Sequence, residues 1–407
     1  MHQRSVVRVG ASLLVASLAL TACGSRGGET GGGGDDKKVA KIGMIVPLSG
    51  DLAALGLGMR NSAELAIKQA NESNAIPGWK LELDAKDDEA KGDVGANAAT
   101  SVAGDKETVA VIGTLNSGVS EKVQPILSSA KIAQISPANT NPSLTQGPDW
   151  KTAPKRTYPG YFRTCTTDAI QGPFAARYLF ETAGIKKIAT VHDKKTYGQG
   201  LVESFSEEYK KLGGVIAVAE TVNPDDTDYS AVISKIKPAG VQAVYAGGES
   251  PVTGPLANQM KTAGLKIPLM GGDGMFNAKY LELAAKNAEG DLATSVGAPP
   301  ETLPSAKKYL EDYKAESFKD PYEAYGPYAY DAALAIIEAL KVSLKDAADA
   351  TSARQPTIDA LGSVKFDGAT GAVSFDQYGD STAKVLTTYQ VKAGKWVAVE
   401  TKDFAKP

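Results

Sequence analysis

The sequence predicts an α/β protein built as two doubly wound parallel-sheet lobes. Three observations carry this. Short apolar runs of strand length alternate with stretches of helical periodicity, the order that builds a parallel sheet with helices on both faces. The alternation occurs twice, interrupted at residues 139–160 by a stretch rich in Pro, Thr, Asn and Gly that has no periodicity. The chain has 407 residues, enough for two domains at about 150 residues each. One large doubly wound domain is the alternative; a long loop between two complete arrays favours two lobes.

In the first array, residues 40–47 form an apolar strand candidate. Ala63, Ala66, Ile67 and Ala70 then recur at helical spacing. Residues 80–85 alternate, with Leu81 and Leu83 on one face and Lys80, Glu82 and Asp84 on the other. A buried strand is expected at 109–112, ending at Gly113. Val119, Val123, Ile126, Leu127 and Ala130 trace the next helix, and a strand at 132–135 ends at Ser136-Pro137. In the second array, a strand at 161–164 enters a helix over 170–183. Strands are expected at 187–192, 215–220, 243–246 and 268–270, with helices near 198–212, 230–237 and 254–263. Tyr330, Ala333, Leu334, Ile337 and Leu340 mark a strong amphipathic helix. The last part reads as hairpin strands at 365–366, 372–375, 385–391 and 396–399, with turn signals at Asp367-Gly368 and Ala393-Gly394. Ligands of open α/β sheets sit at the carboxyl ends of the strands. Two such sheets facing each other would make a cleft, a common binding location.

Composition narrows the function. With 44 Lys+Arg against 47 Asp+Glu, the net charge of −3 argues against nucleic acid or anionic lipid as a main partner. Two Cys are too few for a disulfide scaffold or a Cys-based zinc site. The two His are His2, in a segment expected to be removed, and His192. That leaves little room for His-based metal or triad chemistry. No GxxxxGK[ST], HExxH or GxSxG pattern occurs. Asp87-Asp88-Glu89 lacks the spacing of an EF-hand loop and reads as a strand-end polar cluster. His192 reads as a strand-end residue and Cys165 as a small buried one. These features point to binding without catalysis, cofactor or metal.

The amino terminus reads as an address. Arg4 and Arg8 precede a charge-free run over 9–22 that is too short to span a membrane, which takes ~20 apolar residues, and suits a signal-peptide core. It ends Leu20-Thr21-Ala22-Cys23-Gly24. This resembles the lipobox of bacterial lipoproteins, whose Cys is diacylated and becomes the first mature residue; an ordinary secretory signal is the alternative. The resemblance implies a signal peptide over 1–22 and lipidation at Cys23. Residues 23–38, Gly-rich and charged, then read as a flexible linker. Each buried acyl CH₂ contributes ~0.8 kcal/mol, so a multi-chain lipid would hold the protein at the extracytoplasmic face of the cell membrane.

Several segments, in order, resemble the periplasmic leucine–isoleucine–valine-binding proteins, the type I solute receptors of ABC importers. They are Val46-Pro47-Leu48-Ser49-Gly50, Asp87-Asp88, Ile112-Gly113 with Asn116-Ser117-Gly118, and Ser136-Pro137-Ala138-Asn139-Thr140. Further on come Val191-His192-Asp193-Lys194, Tyr197-Gly198-Gln199-Gly200, Gly247-Gly248-Glu249 and Gly271-Gly272-Asp273-Gly274. The resemblance implies the type I periplasmic binding protein fold with a three-strand hinge. Lobe one would hold 39–166 and 297–381, and lobe two 167–296 and 382–407. It also implies a monomer that binds an amino acid, branched-chain or otherwise aliphatic, and delivers it to ABC permease subunits. The rivals are a receptor of the same fold for another zwitterion, an amide or a basic amino acid; a sensory lipoprotein; and a secreted α/β hydrolase.

The resemblance also assigns a pocket. Ser117 and Thr140 would hold the ligand carboxylate, Ala138 would offer a carbonyl to the ammonium, Tyr197 would close over the ligand, and Asp273 would pair with the α-ammonium. The residues themselves allow plainer roles: Ser117 as a helix cap, residues 137–140 as a turn, Asp273 as a turn Asp. Asn116 adjoins Ser117 at a helix start, where free N–H groups favour anions. Glu249 and Leu55 stand where the family often has aromatics. Tyr325 offers an aromatic wall, with Tyr322 and Tyr328 as alternatives. Two acids near one ammonium imply that one is protonated or salt-bridged, or that the ligand carries extra positive charge.

Overall fold

The computed structural model describes Lys37–Phe404. The expected signal peptide, Cys23 and most of the Gly-rich linker lie outside the described residues. Among those described, no helix is long and apolar enough to cross a membrane.

The first array runs β1 (Lys38–Val46), α1 (Ala53–Glu72), β2 (Trp79–Asp87), α2 (Gly92–Gly104), β3 (Thr108–Gly113), α3 (Ser117–Ser129), β4 (Ala133–Ser136), α4 (Ser143–Gln146) and β5 (Tyr161–Arg163). Its five strands are all parallel, in the order β2-β1-β3-β4-β5. Strand alternation sets the packing. Ile42, Met44 and Val46 of β1 share a core with Met59, Ala63 and Ala66 of α1. Ile45 and Val111 point the other way, into a core with Val102 of α2 and Val119 and Val123 of α3.

The second array runs α5 (Asp168–Arg177), β6 (Lys187–His192), α6 (Thr196–Lys211), β7 (Val215–Thr221), α7 (Ser230–Ile236), β8 (Ala243–Gly247), α8 (Ser250–Thr262), β9 (Leu269–Gly271), α9 (Ala278–Ala284) and β10 (Leu292–Ser295). The chain then returns to the first core. It adds α10 (Lys307–Ala315), α11 (Gly326–Ser343), α12 (Ala350–Leu361), β11 (Lys365–Gly368) and β12 (Gly371–Ser374). Tyr309, Ile336, Leu340, Leu361 and Phe375 pack in the same cluster as Ile42 and Met44. Finally β13 (Val385–Lys392) and β14 (Lys395–Asp403) finish the second sheet, ordered β14-β13-β10-β9-β8-β6-β7, with β13 antiparallel to both neighbours. The fold is type I periplasmic: two lobes with parallel sheets, between which the chain crosses three times.

Arg163, at the end of β5, ties the first crossing to the third. It is fully buried, and its Nε donates to Asp380 Oδ1 at 2.6 Å. Its Nη1 donates to the carbonyls of Asn139 (2.8 Å) and Asn141 (3.0 Å), and its Nη2 to Thr145 Oγ1 (2.5 Å).

Each strand expected from an apolar run is present. The differences have local causes. The loop at 139–160 contains the one-turn helix α4. The helix expected to reach residue 183 is α-helical to Arg177 and ends in a π-helical turn, Tyr178–Thr182. Strand β1 begins at Lys38, the last residue of the expected linker. Asp367-Gly368 is not the first hairpin turn: Gly368 pairs with Gly371, so Ala369-Thr370 make the turn. Asp331 of α11 organises that turn, accepting from Ala369 N (2.7 Å), Thr370 N (2.8 Å) and the Thr370 hydroxyl (2.6 Å). Ala393-Gly394 do form the second turn, both with positive φ, as a type I′ hairpin requires. Helix α2, with its small residues, and β10, four residues long, carry no periodic signal.

Candidate functional site

The site is assembled from strand ends and helix starts. Asn116, Glu249 and Tyr325 occupy the N-cap positions of α3, α8 and α11, yet none of the three side chains makes a capping bond. They are turned to other partners. Gly113 allows the β3–α3 connection: its φ is +133, and a Cβ there would lie 2.2 Å from the Ile45 carbonyl oxygen. Gly198 does the same for lobe two, where a Cβ would lie 2.6 Å from the Gly247 carbonyl oxygen, so α6 can start close against β8.

Leu55, Asn116, Ser117, Ala138, Tyr197, Glu249, Asp273 and Tyr325 all line one small cavity, joined by Leu115 and Gly274. Its volume is about 10 Å³, room for about one water. Thr140 does not line it. That residue is fully buried behind the wall, its carbonyl accepts from Asp168 N at 2.8 Å, and its hydroxyl makes no well-formed hydrogen bond.

Asp273 is the electrostatic centre. Its Oδ1 accepts from the Tyr197 hydroxyl (2.8 Å) and Gln171 Nε2 (2.9 Å), and its Oδ2 from the Tyr325 hydroxyl (2.7 Å). All three donors are neutral, and none of the ion pairs among the described residues involves Asp273. Burial therefore holds its carboxyl above the ordinary value, against the pull of those donors. Asp168 is pushed up to about 8, by burial first and by Asp273 second. Tyr197 and Tyr325 are raised well above 10, by burial and then the Asp273 charge, so both remain donors at neutral pH.

Glu249 has its own partners. Its Oε1 accepts from Asn116 Nδ2 at 2.7 Å and its Oε2 from Lys195 Nζ at 3.4 Å. The Glu249 charge in turn raises Lys195, and burial followed by Glu249 raises Asp193. Of the outcomes open for a second acid, the structure has the salt bridge. Asn116 Oδ1 is buried without a hydrogen-bond partner. The Asn116–Glu249 and Tyr325–Asp273 bonds join the lobes, as do Asn141 Nδ2 to the Thr196 carbonyl (2.7 Å) and the Thr196 hydroxyl to Glu121 (3.0 Å). The lobes are closed on each other.

Three participants were not singled out from sequence: Leu115, Lys195 and Gln171. Leu115 and Lys195 adjoin residues that were. Gln171 lies inside α5, and nothing in its neighbourhood marks it. His192 is a strand-end residue whose Nδ1 accepts from Lys194 N (3.1 Å). Cys165 is buried, donates to the Asn139 carbonyl (3.3 Å), and has its thiol pushed up by burial. Among the described residues no cluster of His, Cys, Asp and Glu could hold a metal ion.

This geometry has known counterparts. A family model described as periplasmic binding protein matches residues 39–395. The chain belongs to the periplasmic binding protein family. Among relatives of this binding protein is Leu/Ile/Val-binding protein homolog 3 of Brucella melitensis biotype 1. It is 32% identical over 361 residues, covering 88% of this chain and 93% of the relative. Among solved structures, the branched-chain amino acid transporter substrate-binding protein LivJ of Streptococcus pneumoniae, in complex with isoleucine, superposes with a TM-score of 0.79. The two are 28% identical, over 90% of this chain and 99% of that one. The leucine-binding protein LivK of Thermotoga maritima also gives 0.79, at 26% identity over 89% and 98%. The resemblance read from the ordered segments is thus borne out. The protein is an extracytoplasmic solute receptor, not an enzyme.

Proposed function

We propose that the receptor binds an α-amino acid with an aliphatic side chain between its lobes and passes it to an ABC permease. The observation that carries this is Asp273, a buried carboxylate at the cavity with three neutral donors and no cation of the protein. A buried charge needs a counter-charge, and an α-ammonium supplies one. Ser117, in the first turn of α3, offers its hydroxyl and the free N–H groups there to the ligand carboxylate. Leu55, Leu115 and Tyr325 give apolar walls. The isoleucine bound by the streptococcal relative agrees with this class of ligand. The cavity as closed here has room for about one water, so the ligand is held with the lobes further apart than in this arrangement, and wider opening releases it.

Calorimetry with leucine, isoleucine, valine, glutamine and lysine tests the reading. An aliphatic amino acid should bind tightest. Glu249→Gln should change its affinity less than about fivefold, because Gln keeps an acceptor for Asn116 and loses only a partly exposed ion pair. Tightest binding of glutamine, or of lysine with a large loss in Glu249→Gln, would move the ligand class. The partnerless Asn116 Oδ1 would favour the first of these, by receiving a side-chain amide N–H.

We also propose that Cys23 carries the lipid that tethers the receptor, on the strength of Leu20-Thr21-Ala22-Cys23 closing a charge-free run. Cys23→Ser should abolish lipid labelling and leave the protein unprocessed or free in solution. Mass spectrometry showing an unmodified mature amino terminus in the wild type would refute the anchor.

A further inference from the structure

Behind the pair Asp273–Tyr325 lies a second and much larger space. It measures about 530 Å³, within the ordinary range for small-molecule sites. Asp273 and Tyr325 line both it and the small cavity, so they form a partition between the two.

The lining of this chamber has a definite chemistry. On the lobe-two side, Phe276 stacks on Tyr389 with centroids 4.0 Å apart and meets Trp396 edge-on at 5.7 Å. Tyr322, Tyr325 and Tyr328 face it from the other lobe. Three carboxylates line it, Asp273, Glu301 and Glu323, and no Lys, Arg or His does among the described residues. Glu301 accepts from the Tyr322 hydroxyl. Glu323 sits near the Ala278 backbone N–H, and burial raises its carboxyl. Such a lining repels an anionic ligand and leaves its carboxylates uncompensated beside a neutral one. A cation is attracted twice, by the carboxylates and by the ring faces.

We propose that this chamber is a second ligand site, which takes an organic ammonium ion with an aromatic or bulky apolar body and no carboxylate of its own. Its ammonium lies toward Glu323, which lines this chamber and not the small cavity, and its body packs against Phe276, Tyr389 and Trp396. A plain amino acid is excluded, because its carboxylate would face the acids. The proposal does not depend on what the small cavity holds.

The test uses three indoles of similar shape with the full chain: tryptamine as the cation, 3-ethylindole as the neutral form and indole-3-propionate as the anion. Calorimetry should show saturable tryptamine binding, at least tenfold tighter than either of the others. Glu323→Gln should weaken it about tenfold, as loss of a charged hydrogen-bond partner does. Leu281→Trp, which fills the chamber from α9, should abolish it and leave the leucine titration as in wild type. Neither residue lines the small cavity, so a failure of the amino-acid reading leaves the tryptamine result intact. If Leu281→Trp does not fold, Glu323→Gln still decides. No tryptamine binding, equal binding of all three indoles, or tryptamine affinity unchanged in Glu323→Gln would each overturn the proposal.

Discussion

Arg163→Ala should destabilise the protein by about 3–5 kcal/mol, the usual loss when one partner of a buried ion pair is removed. The expected readout is a lower urea midpoint at unchanged slope. The cause lies in what the guanidinium leaves behind. Asp380 would remain buried without its 2.6 Å partner, and the carbonyls of Asn139 and Asn141 and the Thr145 hydroxyl would each lose a donor. Asp380→Ala should cost a comparable amount by stranding the cation. Arg163→Met combined with Asp380→Leu should recover much of the loss, because neither charge is then buried alone. A single-variant loss below about 1 kcal/mol would place this pair among exposed ones and remove its role in joining the crossings.

The second large effect belongs to Asp273. Asp273→Ala should weaken amino-acid binding by about 2–5 kcal/mol, which is roughly thirty-fold to several thousand-fold. Ser117→Ala, which removes one of several donors to the carboxylate, should cost far less. Asp273 also sets a pH dependence with an unusual sign. Its folded-state carboxyl is raised above the unfolded value of ~3.9, so the folded protein holds the proton more tightly. Stability is then complete below that value and is lost as pH rises through the folded one. Asp168, pushed up to about 8, extends the window to neutral pH and beyond. The ligand-free protein should therefore melt higher at about pH 5.5 than at about pH 8. Asp273→Asn should raise the melting temperature at the higher pH and flatten the profile. A ligand ammonium reverses the balance by favouring the ionised carboxylate, so binding should release protons, seen as a heat that varies with the buffer. A ligand-free protein that loses stability from pH 8 to 5.5 would contradict this account.

The apolar runs and helical faces made most of the fold legible, because strands buried on both sides announce themselves as short hydrophobic segments. What stayed hidden had no such signature. Helix α2 is largely small residues, and β10 is four residues held by its neighbours. The ordered segments brought six expected pocket residues, Asn116, Ser117, Ala138, Tyr197, Glu249 and Asp273, to one cavity, where Leu55 and Tyr325 join them; Thr140 lies in the same segment as Ala138 but behind the wall. Gln171 and the Arg163–Asp380 pair were invisible for a different reason. Asp380 lies 217 positions from Arg163 and Gln171 lies 102 from Asp273, so the crossings bring the first pair together and the folding of the second array brings the other. Glu249 was legible as an anomaly, but its resolution needed Lys195 at 3.4 Å.

The return of the chain to the first lobe before β13 and β14 bears on how the molecule is made. The second sheet takes β6 to β10 before that return, yet two of its seven strands, β13 and β14, are made only after it. The first lobe is likewise unfinished until α10 to β12 have emerged, long after its own sheet is complete. Neither lobe is built from one continuous stretch of chain. One edge of the second sheet, at β10, stays unpaired until the hairpin Val385–Asp403 arrives. A nascent chain that has not yet reached that hairpin therefore carries an open, adhesive strand edge at β10.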